Sequence, residues 1–341
     1  MSDRRKLQDE VISLAHGNGG RFMRDLIDDL FARHLHNDCL DTKVDAAYLP
    51  IETQGGELMA TTDGFTVEPL EFPGGNIGSL AVHGTVNDLA VSGATPLYLT
   101  LNAFIEEGTE VPLLERVMAA MAAACRDCGV RVVAGDTKVL RRGQGGGIYL
   151  ATTGIGLRPR GLLLGLDRVQ TGDRIIVSGS VGDHGTAVML AREQFGLSGT
   201  LESDAASVLP ITRTLLEVPG LRFMRDPTRG GIATVAHEVA GAARATVRLR
   251  ESRIPVREPV RAVCEMLGYD PYYLACEGRV LAILAPDSAD AAVNRLRDQG
   301  FDAAAVVGEV QTGPPRVVLE TQLGGVRILE ELEDDPLPRI C

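Results

Sequence analysis

The chain contains 341 residues, of which 45% are hydrophobic and 23% are charged, and its formal net charge is -12. This length predicts two domains that each bury a core, and the acidic balance argues against a duplex nucleic-acid binder, which would need a basic face. It does not exclude a nucleotide site, because acidic residues can hold Mg²⁺ against phosphates. Residues 1–10 are charged and no apolar run is long enough to span a bilayer, so we expect a cytoplasmic protein without a secretory signal.

A glycine-rich segment precedes the first predicted helix, which covers residues 21–32. Gly17, Gly19 and Gly20 surround Asn18 there. Glycine lets the backbone approach a ligand closely and turn its amides toward an anion. The segment is therefore a candidate phosphate-binding loop, and the alternative is a plain turn before a helix.

Carboxylates lie at the ends of several predicted elements in the first half of the chain. Asp63 follows a strand, Asp88 lies next to Asn87 inside a helix, and Asp136 lies near Lys138 after a later strand. The carboxylate inside the helix, Asp88, faces either solvent or a site, and a single carboxylate more often faces solvent. The alternating and helical patterns predict strands over 58–62, 96–104, 131–134 and 148–155 and helices over 79–91 and 113–128.

A linker is predicted over 159–172, and a second domain follows it. His184 is interpreted as a residue at the start of a helix rather than as a ligand. The patterns predict strands over 174–179, 245–249, 280–284, 304–310 and 316–319 and helices over 186–195, 207–218, 232–242, 259–267 and 289–299.

Two places in this second half resemble sites. Asp226 precedes Pro227 and a glycine turn at Gly230, which is a plausible corner for an anion or Mg²⁺ or, alternatively, an ordinary helix cap. Glu277 lies where a loop enters a buried strand, and the alternative there is a salt bridge to Arg279.

The six cysteines are scattered, which predicts free thiols in a reducing compartment. Cys125 and Cys128 form a C-x-x-C without a second pair, and we interpret them as packing residues. Cys341 ends the chain after an acidic stretch with Pro336 and Pro338, which favour an extended backbone. The last ten residues would reach roughly 30 Å when extended. The terminal thiol is therefore either cargo on an arm or part of a frayed tail.

Strands and helices mix without strict βαβ alternation, which favours an α+β fold with mixed sheets. Neither a P-loop nor a clean G-x-G-x-x-G is present, so a nucleotide site would be built from scattered carboxylates and glycine turns. We expect an N-terminal glycine-loop segment over 1–40, an ATP-binding domain over 41–158, a second domain over 159–320 and a flexible arm over 321–341.

Several of these segments together resemble a known superfamily. They appear in the order His16–Gly20, Thr61–Gly64, Asn87–Ala94, Gly135–Lys138 and Asp226–Gly231. This order resembles aminoimidazole ribonucleotide synthetase, selenophosphate synthetase and thiamine-monophosphate kinase, and it implies the two-domain PurM-like fold. Within the superfamily, the stretches Ala275–Arg279 and Pro338–Cys341 resemble the HypE family of hydrogenase maturation factors.

The resemblance implies an ATP-dependent carbamoyl dehydratase, a lyase that acts on its own C-terminal cysteine. A carbamoyltransferase, HypF, would load a carbamoyl group onto Cys341, ATP would phosphorylate the amide oxygen, and loss of phosphate would leave a thiocyanate. The cyanide would pass to the HypC–HypD iron scaffold for the nickel-iron hydrogenase centre. The superfamily also implies a homodimer with nucleotide sites near the subunit contact.

The resemblance further implies roles for the candidate residues. Cys341, Glu277 and Lys138 would be catalytic, with either Glu277 or Lys138 as the base that takes a proton from the amide nitrogen. Asp45, Asp88 and Asp226 would hold Mg²⁺. The nucleotide would be bound by Gly17, Asn18, Gly19, Gly20, Asp63, Asn87, Gly135, Asp136 and Gly230.

Two departures from the superfamily pattern matter. Asp45 is followed by Ala-Ala rather than by a second acidic residue, and the glycine loop lacks the Cys or Lys expected of selenophosphate synthetase. The alternatives are an ATP-dependent small-molecule amide activator or kinase, and a non-catalytic thiol carrier. The terminal carboxylate beside the thiol of Cys341 predicts a raised thiol pKa. We also expect the tail to become ordered when nucleotide binds.

Overall fold

The computed structural model describes residues 10–17, 21–40, 51–53, 55–192, 200–332 and 340–341. The predicted ligands Asn18, Gly19, Gly20 and Asp45 lie outside the described residues. Among the described residues, no helix is both long and apolar enough to cross a membrane.

The N-terminal helix is interrupted by a wider turn. Helix α1 (Arg21–Leu26) continues through a π-helical turn (Ile27–Phe31) into helix α2 (Ala32–Leu35). The helical spacing predicts that Phe22, Leu26 and Leu30 share a buried side. Leu26 and Leu30 are buried, whereas Phe22 is 42% exposed. Its ring packs edge-on against the ring of His16, with the centroids 5.6 Å apart.

The first domain packs helices against one face of a four-stranded sheet, in which the strand order is β1-β6-β4-β5. Strands β4 and β5 are parallel and the other pairs are antiparallel, so the sheet is mixed, as predicted. The elements are β1 (Glu57–Phe65), β2 (Glu71–Phe72), β3 (Gly75–Asn76), α3 (Ile77–Val91), β4 (Thr95–Glu106), α4 (Val111–Cys128), β5 (Arg131–Leu140) and β6 (Ile148–Arg158).

Helices α3 and α4 have clear start and stop signals. The side chain of Asn76 accepts hydrogen bonds from the backbone N–H groups of Gly78 and Ser79, and this capping box starts α3. Gly129 ends α4 in a left-handed conformation, as predicted, with φ 71°. Cys125 and Cys128 are buried free thiols in the core side of α4, which confirms the packing interpretation.

Two strands are longer than predicted because glycine does not end them. Strand β1 continues through Asp63 and Gly64, which pair with β6. Strand β5 continues through Gly135 and Lys138, which pair with β4. A Cβ on Gly135 would lie 2.4 Å from the carbonyl oxygen of Leu101, so the glycine is required by the close approach of β4.

The second face of this sheet is left partly exposed among the described residues. Side chains on this face include Leu58, which is 59% exposed, and Phe104, which is 37% exposed. Cross-strand partners share a face, and the register joins Phe104 to Lys138 and Asn102 to Asp136. Asp136 and Lys138 therefore lie on the open face.

The second domain is built on a seven-stranded sheet with the order β13-β12-β9-β11-β7-β10-β8. It is also mixed, because β9 and β12 are parallel while their neighbours are antiparallel. Its elements are β7 (Arg174–Val177), α5 (Asp183–Ala191), α6 (Leu209–Leu216), β8 (Leu221–Arg225), α7 (Gly231–Ala243), β9 (Thr246–Arg250), α8 (Glu258–Leu267), β10 (Leu281–Leu284), α9 (Ala289–Asp298), β11 (Ala305–Gln311), β12 (Arg316–Glu320) and β13 (Val326–Ile328).

Part of the segment predicted as a flexible arm over 321–341 belongs to the second sheet. Strand β13 pairs with β12, and Leu329 after it is fully buried. Residues 326–328 therefore complete the second sheet, because the short turn before them returns the chain alongside β12. A sequence pattern of three exposed residues carries no alternation that would have indicated this strand.

Apolar residues form two buried clusters. One lies between α7 and the second sheet. The other joins the two domains, and it includes Leu80 on α3, the α6 side chains Ile211 and Leu215, and Ile340 near the chain end.

Candidate active site

The last two residues of the chain are docked between the two domains. Ile340 is 2% exposed and belongs to the shared core. Its carbonyl oxygen lies 2.8 Å from Nε2 of His184. The backbone N–H of Thr66 donates to a carboxylate oxygen of Cys341 at 3.0 Å, and the Thr66 hydroxyl donates to the same atom at 3.3 Å. These contacts fix the main chain on both sides of the final peptide bond.

The thiol of Cys341 faces charged groups. Arg229 Nε lies 3.4 Å from Sγ. Burial raises the pKa of Cys341 to about 12, the charges of Glu277 and Asp63 add to the shift, and Arg229 opposes it. The predicted direction is confirmed, although the causes are burial and these carboxylates rather than the terminal carboxylate.

Glu277 lies in the loop that enters β10 and is 1% exposed. Its Oε1 is buried and has no hydrogen-bond partner among the described residues. Burial raises the pKa of Glu277 well above its ordinary value, and the charges of Asp226 and Asp204 follow as causes. The alternative of a salt bridge to Arg279 is wrong, because that guanidinium pairs with Asp183 and Asp204, each at 3.5 Å.

Three aspartates from different elements contribute their charges to the raised pKa of Glu277. Asp226, in the loop after β8, is 6% exposed, and its pKa is raised to about 7 by burial and then by the charge of Asp88. Burial also raises the pKa of Asp88 on α3, whose carboxylate accepts the hydroxyl of Thr61 at 2.8 Å. The pKa of Asp63 on β1 is raised by burial, while the N–H of Gly64, 2.7 Å from Oδ1, opposes the shift.

The aspartates and Glu277 form one electrostatic unit, because each contributes its charge to the pKa of Glu277. Asp226 is not a helix cap, since α7 is capped by Gly230 without a side-chain bond. Gly230 has φ 70°, which favours glycine at this turn.

The donor set suits part of a magnesium coordination sphere but not a complete one. Among the described residues, no group of three or more His, Cys, Asp or Glu side chains is arranged to hold a metal ion. Mg²⁺ commonly takes one or two carboxylates and completes its sphere with phosphates and water. Asp88 and Asp226 fit that partial role, because each is a carboxylate whose raised pKa a cation would lower.

Asn87 is adjacent to this unit, but its side chain is engaged with the backbone. Its amide donates to the carbonyl oxygens of Ala206 and Glu277 at 3.0 and 3.1 Å, and its oxygen accepts the N–H of Val208 at 2.8 Å. In this structure Asn87 positions the loop of Glu277 rather than presenting a free amide to a ligand.

Lys138 and Asp136 are not brought to this unit within one chain. Lys138 Nζ lies 2.9 Å from Asp136, and both side chains are about half exposed, at 56% and 51%. They lie on the open face of the sheet, whereas Asp63 lies on the helix-covered face of β1. Three strand spacings separate β1 from β5, which is about 14 Å. Gly135 lies on the same strand as this ion pair, and Gly17 ends a 3₁₀ turn near the N-terminus.

A cavity of about 340 Å³ opens beside Asp88. Its walls include Met59, Phe223, Arg158 and Arg225, so it combines apolar surface with two cationic side chains. Its volume lies within the range of small-molecule ligand pockets, and Asp88 is the carboxylate in its lining.

Sequence reasoning missed several residues of the site. Arg229 lies within the Asp226–Gly231 motif, so its neighbourhood was indicated, but its contact with Cys341 depends on the docking of the chain end. His184 was predicted only as a helix-start residue, and it is one, in the first turn of α5. Thr66 and Asp204 had no sequence signal.

Comparisons with known proteins agree with this arrangement. Residues 43–158 match the N-terminal domain, and residues 170–320 the C-terminal domain, of AIR synthase related proteins. The chain is 44% identical over 339 residues to the carbamoyl dehydratase HypE of Azotobacter vinelandii, covering 98% of each chain.

Solved structures agree as well. A crystal structure of the hydrogenase maturation protein HypE in complex with ATP superposes with a TM-score of 0.91 at 45% identity, covering 96% of this chain and 99% of that one. A HypE–HypF complex superposes with a TM-score of 0.77 at 38% identity, covering 91% and 99%. The two matched domains and the similarity along nearly the whole length place the chain in the AIR synthase related proteins and, within them, in the HypE family of carbamoyl dehydratases.

Proposed function

We propose that this chain is an ATP-dependent dehydratase that converts an S-carbamoyl group on its own Cys341 into a thiocyanate. The single observation that carries the proposal is the position of the C-terminal thiol, which lies inside a buried carboxylate site of the same chain, beside Glu277 and Arg229.

The reaction proceeds in two steps. The amide oxygen of the carbamoyl group attacks the terminal phosphorus of ATP, ADP leaves, and the nitrogen loses a proton. The C–O bond to phosphate then breaks while the nitrogen loses its second proton, and the carbon–nitrogen triple bond forms on sulfur. Phosphate is a far better leaving group than hydroxide, so the nucleotide supplies the driving force for a loss of water.

Glu277 is proposed as the base. Its charge raises the pKa of the Cys341 thiol, its Oε1 has no partner among the described residues, and its own raised pKa makes its carboxylate a stronger proton acceptor than an ordinary glutamate. Arg229 is placed to stabilise negative charge that develops near the sulfur-bound carbon.

Magnesium bound with the nucleotide would neutralise phosphate charge and orient the phosphoryl group. Asp88 and Asp226 are proposed to hold it, with Asp63 and the glycine loop at Gly17–Gly20 on the nucleotide and Asp45 as a further ligand. The cavity beside Asp88 is proposed for the nucleoside. Support for ATP comes from the relative whose crystal structure contains it.

The open sheet face supports the proposal of a homodimer. A second copy on this face would cover Leu58 and Phe104, and it would place the Asp136–Lys138 pair at a subunit contact. Within one chain Lys138 lies across the sheet from Cys341, so its proposed role of stabilising phosphoryl charge depends on how the second copy is placed.

The partners follow from the proposed chemistry. A carbamoyltransferase must load the thiol, and a relative solved as a HypE–HypF complex supports HypF in that role. An iron scaffold of the HypC–HypD kind is proposed to accept the cyanide for nickel-iron hydrogenase maturation. The six free cysteines fit the proposed reducing cytoplasm.

The test is phosphate release by the carbamoylated full-length protein. We expect one phosphate per loaded chain after addition of ATP and Mg²⁺, and no burst from the Cys341→Ser variant. A loaded protein that releases no phosphate would indicate a thiol carrier. A Cys341→Ser variant that still consumes ATP on a small amide would indicate an enzyme with a separate substrate.

A further inference from the structure

The final peptide group is held by a histidine that the proposed chemistry does not use. His184 lies in the first turn of α5 and is 0% exposed. Its Nε2 lies 2.8 Å from the carbonyl oxygen of Ile340. The ring also packs edge-on against Phe72, with centroids 5.4 Å apart, so its orientation is fixed by packing as well as by hydrogen bonds.

The donors and acceptors along this chain of bonds can be assigned. A carbonyl oxygen only accepts, so Nε2 carries the hydrogen and donates to Ile340. The ring is neutral, because burial lowers the pKa of His184 to about 4, and Nδ1 is therefore an acceptor. Ser203 Oγ lies 2.7 Å from Nδ1 and itself accepts the N–H of Ala205 at 3.0 Å. Its hydroxyl hydrogen is thus directed to His184.

This relay, the hydrogen-bonded chain from Ile340 through His184 to Ser203, connects the second domain to the first. The N–H of Ser203 donates to the carbonyl oxygen of Pro73 at 2.8 Å, which ties the relay to the first domain. On the other side of the final peptide bond, Thr66 holds the terminal oxygen of Cys341. With the carbonyl of Ile340 and the carboxylate of Cys341 both held, the remaining freedom of Cys341 is the rotation of its side chain, which keeps Sγ within reach of Arg229.

We propose that His184, oriented by Ser203, is the positioning residue that seats the C-terminal cysteine by binding the main-chain carbonyl of Ile340. Only the expected effect on the dehydration rate rests on the proposed function. The binding of the chain end by His184 does not depend on it. Losing the bond leaves a buried carbonyl without this donor, so the docked state should weaken and Sγ should leave the site more often.

The experiment compares three variants of the full-length protein. His184→Phe keeps an aromatic ring against Phe72 but removes the donor, and His184→Gln retains an N–H that can reach a carbonyl. His237→Phe is the matched control, because Nε2 of His237 makes the same kind of bond, also at 2.8 Å, to the carbonyl oxygen of Leu329 upstream in the same terminal segment. Far-UV circular dichroism and ATP affinity verify folding.

Two readouts are measured. The first is the rate at which iodoacetamide alkylates Cys341, read from the mass of the C-terminal peptide. The second is the single-turnover rate of dehydration after carbamoylation. For His184→Phe we expect alkylation about tenfold faster and dehydration about tenfold slower at unchanged ATP affinity, the size expected for a buried acceptor that loses its donor. His184→Gln should stay within about threefold of the wild type, and His237→Phe within about twofold.

The proposal is overturned if folded His184→Phe protein shows wild-type alkylation and dehydration rates, or if His237→Phe changes both as much. If His184→Phe does not fold, Ser203→Ala takes its place and should show the same two changes at smaller size; wild-type behaviour of that variant then contradicts the relay. If loaded wild-type protein never dehydrates, the proposed function fails, but the alkylation rates still decide whether His184 seats the chain end.

Discussion

The carboxylate of Asp204 accepts the backbone N–H of Glu277 at 3.3 Å. Its second oxygen accepts the N–H of Gly278, also at 3.3 Å. A Cβ on Gly278 would lie 1.9 Å from the carbonyl oxygen of Asp204, so the two loops touch at a position that only glycine allows. Asp204 therefore both places Glu277 and adds negative charge beside it, and that charge helps to raise the pKa of Glu277.

Asp204→Asn should shift the pH dependence of dehydration. Removing the negative charge lowers the pKa of Glu277, so the limb of the pH–rate profile assigned to this base should move to lower pH. Arg279 keeps Asp183 as a partner, but the loss of one member of a buried pair should cost about 3 kcal/mol of unfolding free energy. Single-turnover rates across a pH series measure the shift, and an unmoved profile in folded protein contradicts the coupling.

Asp226 should make the nucleotide-free protein less stable as the pH rises. Its pKa is raised to about 7 in the folded state, from an ordinary value of 3.8. Between these values the folded state binds more protons than the unfolded state, so the free energy of unfolding falls as the pH rises from about 4 to about 7. Above about pH 7 the contribution of Asp226 to the free energy of unfolding is fully lost.

Asp226→Asn should therefore raise the melting temperature at pH 8 and leave it nearly unchanged at pH 4. We expect the melting temperature to rise by at least about 2 °C at pH 8. This corresponds to a gain of about 1 kcal/mol in the free energy of unfolding for domains of this size. Thermal unfolding at the two pH values measures this. The control is Asp302→Asn, which replaces an exposed carboxylate and should leave the melting temperature unchanged at both pH values. Equal effects of Asp226→Asn at both pH values would contradict the raised pKa.

The open face of the first sheet should be a subunit contact. Leu58→Asp introduces a charge into this face and should convert a dimer into a monomer, which multi-angle light scattering measures. If Lys138 acts across the contact, the monomer should lose dehydration activity, and Lys138→Ala should lose it while remaining dimeric. Leu323→Asp, at a fully exposed position in the β12–β13 turn, is the control. A fully active Leu58→Asp monomer would remove Lys138 from the mechanism.

Most of the fold could be predicted from the sequence, because helices such as α4 combine a clear apolar period with a glycine stop. Glycine is a common loop signal, so the sequence predicts strand ends at Asp63-Gly64 and at Gly135. Pairing with β6 and β4 extends both strands beyond these positions. The brief strand β13 has no alternation to detect.

The site was predictable only where a motif marks it. Asp63, Asp88, Asp226 and Glu277 lie in recognisable segments, and the structure brings them together. Lys138 lies on the face of the sheet opposite to Asp63. This depends on the strand register, which no local sequence pattern indicates. The contacts of His184 and Thr66 depend on where the chain end docks, and that is a tertiary property.

Glu277→Gln should block the chemistry without blocking the loading. The amide has nearly the same shape but cannot accept a proton, so dehydration should slow by about 10² to 10⁴-fold, the usual contribution of a positioned base. Carbamoylation of Cys341 should remain within about twofold of the wild type because the base acts only after loading. Glu265→Gln, on the exposed side of α8, serves as the control and should change neither step.

The intact mass of the carbamoylated protein, before and after addition of ATP and Mg²⁺, tests the central claim most directly. The account predicts that the wild-type chain loses the mass of one water molecule, that the loss maps to the peptide ending in Cys341, and that the Glu277→Gln chain keeps the full carbamoyl mass. Loss of the whole carbamoyl group, or an unchanged mass while ATP is consumed, would contradict it.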